Sequence, residues 1–206
     1  MDVVAGILRL KGKMRITVDG RPDLFIPVSV FRNQPLSQGD ILDLDIYIQK
    51  IAPYMYRSAL DHAVKYLTVR ARSRKEVETK LRLYGYPDDT VNMVLYKLEK
   101  TGVLNDSEFA QHWTQARSEK GLGKKNIARD LRQKGISRET AEIALTEVDE
   151  TQQLEKAKQL VEKWIPRYRN VNSRDAARKI IQALIRRGYD WEIAKTAVGL
   201  QDEEDN

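Results

Sequence analysis

No cysteine occurs in the 206 residues, and only two histidines do. The first absence excludes disulfide scaffolds, thiolate metal sites and cysteine nucleophiles together, and it fits a reducing, cytoplasmic setting. The second leaves His62 and His112, 50 residues apart, with no acidic pair at metal-ligand spacing, so neither a metal centre nor a histidine-based catalytic site is expected. Long apolar runs are missing too. Val3 to Leu8 is broken by Arg9 and lacks the preceding positive region of a signal peptide, and nothing reaches the length of a membrane span. With three phenylalanines and 32% charged residues the chain reads as an elongated form with much surface, although 41% hydrophobic residues suffice for a core.

Catalytic signatures are equally thin. Gly121-Leu122-Gly123-Lys124-Lys125 resembles a phosphate loop, but position 118 is Ser118 where a glycine is needed, and Lys125 stands where a hydroxyl must reach magnesium. It also joins two helical segments instead of following a strand. The many carboxylates offer no acid–base pair that can be separated from helix caps. Neither an enzyme nor a cofactor is expected.

What the chain does have is an internal repeat. KLRLYGYPDDTVNMVL at 80–95 returns as DLRQKGISRETAEIAL at 130–145 and ALIRRGYDWEIAKTAV at 183–198. Leu81, Leu131 and Leu184 stand four residues before Gly85, Gly135 and Gly188, and Tyr86, Ile136 and Tyr189 follow those glycines. A glycine just past an apolar-periodic segment closes a helix, because it enters the left-handed conformation without a Cβ clash. Pro87 with Asp88 and Asp89, Ser137 with Glu139, and Asp190 with Glu192 then start a short helix. Its stripe is Val91, Val94, Leu95 and Leu98 in the first copy, Ala141, Ala144, Leu145 and Val148 in the second, and Ala194, Ala197 and Val198 in the third.

A further helix precedes each pair. Ala63, Tyr66 and Leu67 mark it in the first copy, Phe109, Ala110 and Trp113 in the second, and Ala157, Leu160, Val161 and Trp164 in the third. Ser73 with Glu76 makes a capping box, and Ser173 is placed as the corresponding cap. Three three-helix units follow, at 53–104, 105–150 and 151–201, with an acidic tail at 202–206. Residues 1–52 have a different grain. Met14, Ile16 and Val18 alternate with polar residues, and Asp19-Gly20 turns into Leu24 to Val30, so a hairpin is expected. Leu42, Leu44, Ile46 and Ile48 alternate likewise and predict another strand. The fold class is therefore mainly α, tandem three-helix repeats behind a small β-rich N-terminal domain that packs on the first helices.

Charge follows the repeat. The formal net charge is +6. Residues 70–82 hold six basic against two acidic side chains, 117–134 seven against two, and 156–187 ten against two, whereas 138–150 hold one against five. One such cluster is a solvated face; three in the same repeat position mark a functional surface.

Arg70-Ala71-Arg72-Ser73 leading to Val77, Leu81 and Gly85, then Gly102-Val103-Leu104-Asn105-Asp106 with Phe109, Ala110, Trp113 and Arg117, then Leu131 and Lys134-Gly135-Ile136, resemble the signature of the RecX family, bacterial regulators of the RecA recombinase. The resemblance implies a curved, elongated array of three-helix repeats that binds RecA filaments in their helical groove and inhibits ATP hydrolysis, strand exchange and co-protease activity, within DNA repair, recombination and the SOS response. Charge and repeat position give the contacts expected with filament or DNA: Arg70, Arg72, Arg74, Lys124, Lys125, Arg129, Arg132, Arg178, Arg186 and Arg187. The partner is then the RecA filament, with single- or double-stranded DNA as a further one, no membrane, and a monomeric regulator. The alternative is a helical protein that binds DNA directly, since helix, glycine turn and helix resemble a helix-turn-helix.

Overall fold

The computed structural model describes residues 1–168 and 172–199, so the expected acidic tail at 202–206 lies outside the described residues. It comprises two compact units, Met1–Asn105 and Asp106–Asn206.

The first unit opens with an antiparallel sheet. β1 (Asp2–Arg9), β2 (Lys13–Val18), β3 (Leu24–Pro27) and β4 (Ile41–Leu42) lie in the order β3-β2-β1-β4. The expected hairpin is β2–β3, in register from Lys13 opposite Pro27 to Ile16 opposite Leu24. β1 was not anticipated: a bulge between Val4 and Gly6 interrupts its pairing with β2, which blurs its alternation. One helical turn, α1 (Val28–Phe31), follows β3.

The strand expected through Leu42, Leu44, Ile46 and Ile48 is the main correction. Only Ile41–Leu42 pairs as β4, and Leu44–Val69 is one 26-residue helix, α2, that begins well before Pro53. Asp43 decides it: its carboxylate accepts from the amides of Asp45 and Ile46, both at 3.0 Å, and starts the helix. Leu44, Tyr47, Ile51, Met55, Ala59 and Ala63 then fall on one buried stripe, while Ile46 is 63% exposed. The local alternation competed with a longer helical period and lost.

α3 (Arg74–Leu83) and α4 (Asp88–Lys100) complete this unit. The Ser73–Glu76 capping box is present, and Gly85 between the helices has φ +88°. Val77, Leu81, Val91, Val94, Leu95 and Leu98 share one core with Ile16 and Ile26 of the sheet and Ile51 of α2. The sheet thus supplies apolar surface that a helical repeat alone would leave exposed to water.

The second unit holds α5 (Asp106–Glu119), α6 (Lys124–Gln133), α7 (Arg138–Thr146), α8 (Glu150–Trp164), a 3₁₀ turn (Ile165–Tyr168), α9 (Ser173–Arg186) and α10 (Trp191–Val198). These are two three-helix sets, one cored by Phe109, Ile127, Leu131 and Ile136, the other by Val161, Ile180, Leu184 and Tyr189. Gly135 and Gly188, at φ +81° and +91°, repeat the turn of Gly85. Ser173 is not the cap of α9; Asn172 is, accepting from the Asp175 amide at 2.8 Å.

Candidate functional site

The basic residues of α6 and α9 come together at a junction of helix ends. The first amides of α6 have no partner within their own helix. Here the C-terminal turn of α9 serves them: the Gly123 amide donates to the Arg187 carbonyl at 3.0 Å and the Lys125 amide to the Gly188 carbonyl at 3.1 Å. The Asn126 side chain adds a bond to the Arg186 carbonyl at 2.9 Å, and buried Gln153 of α8 accepts from the Lys124 amide at 3.2 Å. Negative and positive helix ends therefore face each other, a favourable arrangement of dipoles.

Glycine is required on both sides. Gly123 has an ordinary φ of −77°, but a Cβ there would overlap the backbone of Gly188 and Tyr189. A Cβ on Gly188 would come within 2.5 Å of the Asn126 amide nitrogen. The GLGKK sequence that resembles a phosphate loop is thus a structural seam.

Of the ten cations expected at the site, Lys125, Arg129 and Arg132 lie at i, i+4 and i+7 on the exposed side of α6, and Arg178 and Arg186 are exposed on α9. Among the described residues no carboxylate pairs with Arg129, Arg132, Arg178 or Arg186. Lys125 pairs with Asp190 at 2.5 Å, and Lys124 is half-buried at the helix start. Arg187 turns inward: its Nε donates to the Gly121 carbonyl and its Nη2 to the Lys120 carbonyl, each at 2.9 Å. That role escaped the sequence because it depends on residues 66 and 67 positions away. Arg174 and Lys179, not singled out beforehand, are exposed on α9 as well; their spacing from Arg178 and Arg186, four and seven residues, was the available signal.

In the first unit the corresponding cations are engaged locally. Arg70 and Arg72 meet Glu76 at 3.0 and 3.9 Å, and Arg74 meets Glu99 at 2.8 Å and Glu78 at 3.4 Å. Arg72 also lies over the Tyr66 ring, 4.2 Å from its centroid. Trp113 stacks on Phe109 and Trp164 packs in the last core, as their register predicts, whereas Trp191 is 55% exposed.

The histidines hold no metal-ligand geometry: among the described residues no three His, Cys, Asp or Glu groups could hold a metal ion. His62 Nδ1 shares a 2.6 Å hydrogen bond with the Tyr86 hydroxyl, which is also 2.7 Å from Ser58 Oγ, itself 2.7 Å from Ser29 Oγ. Burial holds the imidazole below its ordinary pKa, helped by the Lys65 charge, and pushes the Tyr86 hydroxyl up to about 12. The arrangement ties α1, α2 and the glycine turn together. Among the described residues no helix is long and apolar enough to cross a membrane.

Fold and surface together define a class: a tandem three-helix-repeat protein whose second unit presents exposed cations on two abutting helices. Models of the first, second and third three-helix domains of RecX match residues 59–98, 105–145 and 150–198. The chain belongs to the RecX family, a family of regulatory proteins. It is similar to the regulatory protein RecX of Mycolicibacterium smegmatis, 36% identical over 143 residues that cover 67% of this chain and 76% of the relative. The RecX of Listeria monocytogenes is 31% identical over 189 residues, 91% of this chain and 70% of that one. Among solved structures, a regulatory protein RecX superposes with a TM-score of 0.69 at 26% identity, covering 96% of this chain and 98% of the other. RecX from Lactobacillus salivarius gives 0.68 at 30% identity, covering 71% and 96%.

Proposed function

We propose that this protein binds the RecA nucleoprotein filament and restrains its ATP hydrolysis, strand exchange and co-protease activity, acting without catalysis of its own in the cytoplasm. Family membership supports the regulatory role. One observation carries the choice of surface: Arg129, Arg132, Arg178 and Arg186 are exposed on helices that meet end to end, with no acidic partner among the described residues. Cations left uncompensated on two hydrogen-bonded helices suit an acidic protein surface or a phosphate backbone. Several weak contacts along a polymer add up through effective concentration.

Direct sequence reading of DNA fits less well. In a helix-turn-helix the second helix enters the major groove. Here the helices after the glycine turns are α4, α7 and α10, and α7 exposes Glu139 and Glu142, which would face phosphates of like charge.

The test is RecA's single-stranded-DNA-dependent ATP hydrolysis, titrated with the protein at fixed salt beside its binding to bare DNA. Inhibition well below one protein per RecA subunit, with weak and steeply salt-dependent binding to bare DNA, is expected. Arg129→Glu with Arg132→Glu should raise the half-inhibitory concentration at least roughly tenfold, about 1.4 kcal/mol, with melting nearly unchanged. Absence of inhibition at every ratio would overturn the proposal, and tight sequence-selective binding to duplex would favour the DNA-binding reading.

A further inference from the structure

The second unit carries another recess, of opposite charge. A cleft of about 620 Å³ lies among α5, the connection from α7 to α8, and α8. Its walls hold Glu119, Glu147, Asp149 and Glu155 against one cation, Lys156. Asp149 occupies the N-cap position of α8, yet its side chain accepts no cap hydrogen bond. Among the described residues Glu119 and Glu147 are met only by the neutral amides of Gln115 and Gln111, at 3.3 and 2.6 Å, and Glu155 by Lys158 at 3.1 Å.

An independent feature lies deeper. Thr114 lines the cleft, is 1% exposed, and its Oγ1 has no hydrogen-bond partner among the described residues, in a protein interior where such an atom is destabilising. One turn further along α5, Ser118 lines it too and is 8% exposed. The hydroxyls and carboxylates that line the one cleft form a set of acceptors. Among the described residues those carboxylates do not converge into a metal site. Spaced acceptors suit an elongated ligand that carries positive nitrogen donors at intervals.

We propose that this cleft binds an extended organic cation whose ammonium or guanidinium groups meet these carboxylates, with its leading donor group against the Thr114 hydroxyl. The source is a basic segment of a protein partner or a free polyamine; the chemistry of recognition is the same. The site uses none of the residues assigned to filament contact, and binding to it is measured without RecA.

Calorimetric titration of the full chain with an N-acetylated tri-arginine amide, and separately with spermidine, tests the idea at low and moderate salt. One-to-one binding of at least one probe is expected, the responding probe identifying the source. Glu147→Gln with Asp149→Asn should weaken it roughly tenfold or more. Thr114→Val should weaken it about three- to tenfold while leaving the melting temperature unchanged or higher, because it removes an orphan hydroxyl. Failure of both probes to bind, or binding that the carboxylate variant leaves unaltered, would overturn the proposal.

Discussion

Gly123 and Gly188 touch backbone to backbone, so that the turn closing one repeat's second helix seats on the start of the other's. Gly123→Ala is therefore expected to destabilise the second unit although its φ of −77° suits alanine. The clash is with main chain, which cannot swing aside as a side chain would, and about 1–3 kcal/mol is expected, as for overpacking generally. Gly188→Ala adds the left-handed penalty at φ +91° and should cost more. Urea denaturation of each variant checks the order; equal stability of Gly123→Ala and wild type would show that the seam can open.

Arg187 separates structural from functional charge. Losing its bonds to the carbonyls of Gly121 and Lys120 should cost roughly 1–3 kcal/mol in Arg187→Ala. Arg187→Lys should restore little, since one ammonium cannot reproduce a planar pair of donors. Arg129→Ala, on the exposed side of α6, should change stability by less than about 0.5 kcal/mol. Thermal melts of the three variants decide.

Tyr86 and Tyr189 occupy the same repeat position with opposite hydrogen-bonding fates. Tyr86 meets Ser58 and His62, whereas the Tyr189 hydroxyl is buried with no partner among the described residues and burial pushes its pKa up to about 12. Tyr86→Phe should lower stability by about 1 kcal/mol, and Tyr189→Phe should leave it unchanged or raise it. Equal losses in the two variants would contradict the assignment.

The histidine that meets Tyr86 gives a pH dependence. His62 has a folded-state pKa below the ordinary 6.5, chiefly through burial. The unfolded chain then binds more protons than the native one between these values, so stability rises with pH there. The contribution is fully present above about 6.5 and is lost as pH falls below it toward the folded-state pKa. Denaturation midpoints from pH 7 down to pH 5 should fall more steeply for wild type than for His62→Gln; parallel profiles would mean that His62 does not titrate differently on folding.

The repeat was legible because its punctuation is local. Leu81 before Gly85, or Ser73 with Glu76, is a pattern within ten residues whose meaning needs no tertiary context. The start of α2 was misread because Leu42, Leu44, Ile46 and Ile48 satisfy a strand pattern, and only the stripe continuing to Ala63 reveals the helical period. The site was half legible. Charge placed Arg129 and Arg132 on an open surface, but nothing near Arg187 or Gln153 in sequence announces partners dozens of residues away. The acidic cleft was invisible for the same reason, since Thr114 and Asp149 become neighbours only when α5 and α8 pack.

Gln153 carries a consequence for protein engineering. It belongs to the last repeat by sequence, yet accepts from the Lys124 amide and donates to the Leu122 carbonyl at 3.4 Å, both in the repeat before. A cut at 150 or 151, where sequence periodicity ends one copy and begins the next, would strip α6 of its initiating partners and Arg187 of its acceptors. Chimaeras assembled from single repeats would inherit mismatched ends. The smallest transplantable module in this half of the chain is the pair.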